Sequence, residues 1–396
     1  MSGTNTILTP TAVTREALRV LHQKLNFVSK INRTYDDSFA KEGAKIGSQL
    51  KIRLPNQYVV TTGATMTAQD TSESSVTLTV GTQKHVGMTF TSQDLTLSLD
   101  DFSSRIIDPA MSVLAASVEA DAMSMFLDVY NGVSNIGSAI TLNKVWTGRK
   151  RLNDELTPMD NNRYALLNTQ DSVDFMDAAK GLFHSSDQIE KQYTEGVIGR
   201  MGGFNFYENT LIPTSTTGTD ATNCTVNAAS QTGATITIVN GSSKTFSVGD
   251  IVTFAGCNRC HPETKADTGV LQQFVVTAAI TAGGTSMAIS PAIVTSGGTQ
   301  NVYASPSGSG AVTKVGVAST VYKPSVVFHR DAFALATADL IMPKGVDFAA
   351  RENMDGLSLR IVRQYDVVND RLPCRVDILY GYKTIRAQLA ARILSN

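Results

Sequence analysis

Apolar residues recur at Ala17, Leu18, Leu21, Leu25 and Val28, the spacing of one face of a helix over residues 14–31. A second helical pattern opens at Asp108 and Pro109, a favourable cap and first-turn pair. It predicts a helix to Tyr130, about 33 Å long at ~1.5 Å per residue. Helices also fit residues 144–156 and 171–183. Between the first two helices, over residues 46–97, the period changes to two: Val76, Leu78 and Val80 alternate, as do Val86, Met88 and Phe90. The polar stretch TTGATMTAQDTSESS separates LKIRLP from these runs, so the pattern predicts a long two-stranded excursion. An isolated ribbon is marginal in water, and a neighbouring copy of the chain is its natural support.

The pattern changes again near residues 213 and 320. Residues 214–319 hold 8 charged residues in 106, against 61 in the other 290. Thr, Ser, Val, Ala and Gly dominate. Phe246, Val248, Val252 and Phe254 keep a two-residue phase, as do Phe274, Val276, Ala278 and Ile280. Asn240-Gly241 has the residues of a type I′ hairpin turn, and Gly283-Gly284 supplies a second turn. The expectation is a small all-β barrel or sandwich; a Ser/Thr/Gly linker would leave the alternation unexplained.

Charge excludes little but points one way. Lys and Arg number 34 against 35 Asp and Glu, giving a net charge of -1, so gripping nucleic acid is not the main task. Only 17% of residues are charged, and weak repulsion favours association. The opening MSGTNTILTPTAVTRE lacks a basic and apolar leader pattern, and no apolar run approaches the ~18 residues of a membrane span. Cys224, Cys257, Cys260 and Cys374 are too few for a disulfide framework in a chain this long, so synthesis in a reducing cytoplasm is expected.

Candidate chemistry is sparse. Cys257-Asn258-Arg259-Cys260-His261 has the C-x-x-C-H spacing of haem attachment, but it lies in the β-rich stretch, and a zinc site would need further ligands. Read plainly, it is a surface loop with two thiols. No phosphate-binding loop, zinc-protease or nucleophile-elbow motif occurs. Gly199, Gly202 and Gly203 read as a turn before the strand FNFYEN, and His329 as a structural residue ending SVVFH. No catalytic residue, cofactor or metal is expected. Arg259, Glu263, Lys265 and Asp267 crowd into nine residues, as a solvated loop tip or as an intersubunit contact built from ion pairs.

Four stretches in order carry a family resemblance: MTFTSQDLTLSLDDFSSRIIDPAMSVLAASVEADAMSMF, GRMGGFNFYEN, SVVFHRDAFALATADL and CRVDILYGYKTIRAQLAARI. The chain resembles the tailed-bacteriophage major capsid (coat) proteins of the short-tailed type with an inserted β-barrel domain. The resemblance implies an α+β fold: an N-terminal arm (1–45), an extended loop (46–98), a peripheral domain with a long spine helix and the first part of an axial domain (99–212), an inserted all-β domain (213–320) and the remainder of both domains (321–396). It further implies a strand then a helix in SVVFHRDAFALATADL, and a closing strand pair near the C-terminus.

By the same resemblance the protein is no enzyme. It forms hexamers and pentamers that close into an icosahedral shell around packaged DNA, through a scaffold-assisted precursor that expands. Its partners would be itself, a scaffolding protein, a portal protein, a decoration protein and, weakly, double-stranded DNA, with no membrane. The location would be the virion, after assembly in the bacterial host cytoplasm. On this reading Val76, Leu78, Val80, Val86, Met88 and Phe90 lie against an adjacent subunit, with Arg259, Glu263, Lys265 and Asp267 at a second contact. Arg15, Arg19, Lys24, Lys30 and Arg33 face scaffold or DNA. An encapsulin-like compartment is the alternative with the same fold; a secreted adhesin and a haem or redox protein fit less of the chain.

Overall fold

The computed structural model describes residues 25–34, 49–66, 68–69, 73–91, 108–179, 199–219, 224–354 and 357–395. They form a mixed α+β protein of two compact units: residues 1–52, 76–122 and 333–383, and residues 53–75, 123–332 and 384–396.

The first unit is built on a five-stranded sheet. β17 (Phe333–Thr337), β20 (Arg371–Thr384), β19 (Leu357–Arg363) and β18 (Phe348–Met354) are neighbours in that order, and β3 (Thr82–Thr91) also pairs with β20. The register places His85 and Arg360 each opposite Asp377. The helix α1 (Asp108–Met123) buries Met111, Leu114, Ala115, Val118 and Ala122. The chain then tightens into a 3-10 turn over Ser124–Asp128, so the regular helix is shorter than the run to Tyr130 that the pattern predicts. By length and composition Pro109–Asp128 is apolar enough to cross a membrane, but over half of it is buried within the protein, as in a core helix.

Three other expectations change in this unit. Residues 14–24 of the predicted first helix lie outside the described residues. Of the rest, Val28–Lys30 forms only a 3-10 turn. Phe27 packs edge-on against Phe333, with ring centres 5.7 Å apart, and Asn32 pairs with β17, so tertiary contacts override local helical spacing. In the excursion, β1 (Gln49–Arg53) pairs with β2 (Ser75–Thr79), but β3 leaves the ribbon for β20, along ten aligned positions. The stretch DAFALATADL contains the strand β17 where a helix was expected. Every residue of Phe333–Thr337 is buried, so no polar face remains to reveal the period.

The second unit holds a mixed six-stranded sheet in the order β4 (Gly132–Ser134), β21 (Ala390–Leu394), β16 (Ser325–His329), β5 (Arg163–Leu167), β7 (Phe204–Glu208) and β6 (Arg200–Met201). The closing strands β20 and β21 therefore do not pair with each other; they serve different sheets. The helices α2 (Leu142–Asp154) and α3 (Thr169–Ala179) lie close to the predicted positions, and residues 180–183 of the second fall outside the described ones. Val145, Leu152 and Phe175 from these helices share one core with Ala165, Phe204, Val327 and Ile393 from the sheet. Gly202 and Gly203, at φ +58° and +84°, make the two-residue turn between β6 and β7.

The low-charge stretch forms a second six-stranded sheet: β14 (Val312–Lys314), β11 (Ile251–Cys260), β12 (Asp267–Val276), β13 (Ser286–Ile293), β10 (Gly233–Val239) and β9 (Thr225–Val226). It closes on itself. Thr225 bridges Ala311, Val226 N–H donates to the Gly310 carbonyl, and Val312 N–H donates to that of Cys224. The barrel encloses Ile236, Ile238, Phe246, Phe254, Phe274, Met287 and Ile289. A short pair, β8 (Ser215–Thr216) with β15 (Val321–Tyr322), joins the two strands of chain that lead into and out of it.

Two details of the barrel differ from expectation. Asn240-Gly241 does not form a type I′ hairpin, because neither residue has positive φ and β10 pairs with β9 and β13 instead. Val248 breaks the apolar phase and is exposed.

Candidate assembly surfaces

Buried polar networks in each unit hold the elements that carry the exposed apolar and charged groups. In the first unit, Asp121 of α1 accepts a hydrogen bond from Tyr380 at 2.5 Å and pairs with Lys84 Nζ at 2.6 Å. This fixes β3 and β20 on the helix. Glu119, two residues earlier on the buried side, accepts the backbone N–H of Phe27 at 2.8 Å. Burial pushes its carboxyl up to about 7, against the lowering effect of the backbone donors at 26–28. Asp377 is fully buried between Arg360, at 2.6 Å, and Arg375, at 2.5 Å. Beside these three, His85, Met88, Pro343, Val362 and Pro373 line a shallow depression of about 550 Å³.

In the second unit, Arg392 is wholly buried on β21. It donates to the carbonyls of Val129, at 2.9 Å, and Gly249, at 2.8 Å. A single guanidinium thus satisfies both the chain leaving the 3-10 turn and the loop before β11, a task suited to a planar multi-donor fork. Asp250 accepts from the N–H groups of Gly218 and Ser247, and Lys314 donates to the carbonyls of Gly218 and Thr219. Burial raises the Asp250 carboxyl, with Lys314 opposing. His329 Nδ1 accepts from the Asp331 N–H, so its Nε2–H is free to donate to Asp160 at 3.1 Å. It is a satisfied structural histidine.

The sequence-predicted contact residues separate on this framework. Leu78 and Val80 are buried by the chain itself, so they are not open to a neighbour; Val76, Val86 and Met88 are half-buried. The side chain of Phe90 lies outside the described residues. Arg259 forms ion pairs within its own chain: its Nη1 lies 3.3 Å from Glu155 Oε1 and its Nη2 lies 3.4 Å from Asp154 Oδ2, both within the same unit. The partners sit at the end of α2, about a hundred residues away in sequence, so no local pattern reveals them. Lys265 is half-buried and donates to the Gln300 carbonyl, whereas Glu263 and Asp267 are exposed. Arg15, Arg19 and Lys24 fall outside the described residues; Lys30 ends the 3-10 turn that Glu119 holds, and Arg33 follows it.

The C-x-x-C-H stretch is no surface loop. Cys257 lies in the barrel core, where burial pushes its thiol up to about 12, and Cys260 Sγ donates to the Gln300 carbonyl. A thiol so resistant to ionisation is a poor metal ligand. All four cysteines are free and buried.

The remaining exposed apolar groups are the ones the sequence reading passed over. Tyr58, Val60 and Met66 stand out from the loop between β1 and β2, with Val60 90% exposed. That loop is not wholly free-standing: a side chain at Gly298 would collide with the Gln57 carbonyl, so barrel and loop backbones touch there. Val367 and Val368 crown the turn between β19 and β20, which Asp366 stiffens by accepting from Val368 N–H and Asn369 Nδ2. Trp146 and Val173 project from α2 and α3.

The family model described as P22 coat protein, gene protein 5, matches residues 4–392. The chain belongs to the P22 coat protein family. It is a major capsid protein of the tailed-phage type and not an enzyme. No curated protein matches it. Among solved structures it is similar to one from Mycobacterium phage Che8, with 13% identity, 93% of this chain and 90% of the other covered, and a TM-score of 0.47. It is also similar to the mature capsid of bacteriophage PhiM1, with 9% identity, coverage of 92% and 87%, and a TM-score of 0.46. A virus-like particle from Pyrococcus furiosus aligns at 7% identity over 96% and 97%, with a TM-score of 0.41. The coat protein functions as a component of the virion, and its partner is further copies of itself.

Proposed function

We propose that this coat protein assembles as hexamers and pentamers into an icosahedral shell enclosing double-stranded DNA. Assembly takes place in the host cytoplasm on a scaffolding protein, around a portal, as a precursor that later expands. The family match across nearly the whole chain carries this reading. Exposed Val60, Met66, Ile341, Val367 and Val368 support it, because large exposed apolar groups are what association covers. Contacts that repeat by rotation close rings, and rings tile a shell. Residues 213–320 act as an inserted module, a division favoured by the barrel's closure and by the short β8–β15 pair at its base. The N-terminal arm, with Arg15, Arg19, Lys24, Lys30 and Arg33, faces scaffold or DNA; Glu263 and Asp267 remain open for a neighbouring copy or a decoration protein.

Electron microscopy of the chain expressed with and without its neighbouring genes tests the reading. Closed shells of one size with those genes, and aberrant shells without them, are expected. A strictly monomeric product in both cases overturns it. Deleting residues 1–33 is expected to abolish scaffold-dependent assembly, and an unchanged yield would remove the arm from that role.

A further inference from the structure

The coat-protein reading says that copies meet but not which faces meet. Two neighbouring helices of the second unit offer an answer. α2 carries Lys144, Arg149, Lys150 and Arg151 against a single acidic residue, Asp154. α3 carries Asp171, Asp174 and Asp177 and no basic residue. Both helices pack on the same core, through Val145 and Leu152 on one and Phe175 on the other, so their remaining faces point away from it.

On the outward face of α2, Trp146 is 47% exposed, with Lys150 beside it one turn on. On that of α3, Val173 is 58% exposed between Gln170 and the pair Asp174 and Asp177. Two pairs of polar groups there make local contacts within one helix. Lys150 Nζ is 3.7 Å from Asp154 Oδ2 on its own helix, and Gln170 donates to Asp174 on its own helix. Such exposed pairs exchange partners at little cost. Trp146 is also held in place, because its Nε1 lies close over Gly202 in the turn between β6 and β7. A pre-oriented aromatic ringed by charge is the usual composition of an interface anchor.

We propose that α2 of one copy docks against α3 of a second copy, with Trp146 covered beside Val173 and with Arg149 and Lys150 facing Asp174 and Asp177. The opposite charge of the two helices selects a second copy of this same chain as the occupant, since every copy supplies both halves of the contact. The inference rests on the coat-protein reading and names one of the surfaces that reading requires.

Trp146 is the only tryptophan in the chain, so the unmodified protein reports on the contact. Its emission is expected to move to shorter wavelength, and its quenching by iodide to fall, when soluble protein is converted to particles. Particles with unchanged emission and quenching overturn this contact while leaving the coat-protein reading intact; failure to form particles at all overturns both. Charge reversal gives the second measurement. K150E alone and D174K/D177K alone are each expected to raise the concentration needed for assembly by on the order of tenfold. The combination K150E/D174K/D177K is expected to recover most of that loss. Far-UV circular dichroism of the unassembled variants separates misfolding from lost docking, and equal defects in single and combined variants that fold overturn the pairing.

Discussion

The Glu119 carboxylate accepts the backbone N–H of Phe27 at 2.8 Å, from a site sealed from water. It caps, from a distant helix, the 3-10 turn at Val28–Lys30, whose own cap residue offers no side-chain acceptor. The carboxyl is raised from 4.5 to about 7, so the folded state holds the proton more tightly than the unfolded chain does. Its contribution to stability is therefore complete below about pH 4.5, is lost as pH rises through about 7, and is flat above. The span corresponds to about 3 kcal/mol. Denaturant midpoints of Glu119→Gln, which keeps an acceptor oxygen, are expected to lose this dependence between about pH 4.5 and about pH 7. A slope equal to that of the native protein would assign the effect elsewhere.

Arg259 ties the barrel strand β11 to the end of α2 through Asp154 and Glu155. Burial raises the Glu155 carboxyl and Arg259 pulls it down, so each group is costly without the other. Arg259→Ala is expected to destabilise the protein by roughly 3–5 kcal/mol, because it strands a buried carboxylate. Glu155→Gln in the same chain is expected to restore part of the loss. A double-mutant cycle on unassembled protein measures the coupling; additive effects would show that the two do not act as a pair.

Much of this fold was legible from period alone. The buried stripe Val145, Gly148 and Leu152 gives α2 its helical spacing, and the alternation through Phe246, Val252, Phe254, Phe274 and Val276 announces the barrel. What stayed hidden depends on distant pairing or on burial of both faces. β3 has strand character from Val86 and Met88, but its partner β20 lies some 290 residues on. Phe333–Thr337 is buried on both sides and so carries no face signal. The crowding of Arg259, Glu263, Lys265 and Asp267 was visible, yet the groups that claim Arg259 are on another element. Trp146 gave the signal that was missed: it falls off the buried stripe of α2, among basic residues, where a core tryptophan has no place.

Gly202 and Gly203 make a two-residue turn in which both φ values are positive. Such a turn matches the right-handed twist of the strands it joins. A side chain costs roughly 1–2 kcal/mol per left-handed position. At Gly202 it would also press on Trp146, which lies 3.1 Å from where a Cβ would stand. Gly202→Ala is therefore expected to lower the thermal midpoint more than Gly203→Asn, and to alter tryptophan emission in the unassembled protein. Equal effects at both positions would detach Trp146 from the turn.

Cys257 and Cys260 stand three residues apart on one strand, and both are buried. Cys257 faces the barrel core beside Phe254 and Phe274, where no water solvates a thiolate; burial alone pushes its thiol up to about 12. Cys224, in the same core, is pushed up to about 11. The thiolate is the reactive form, so labelling by a disulfide reagent at neutral pH is expected to be negligible in the folded protein and to reach all four cysteines after denaturation. Because reaction then requires opening of the barrel, the labelling rate reports the barrel's own unfolding. Arg259→Ala, which cuts the barrel's buried ion pairs to α2, is expected to accelerate labelling of Cys257. Prompt labelling of Cys257 in the native protein would mean that the barrel is open where the structure closes it, between β9 and β14.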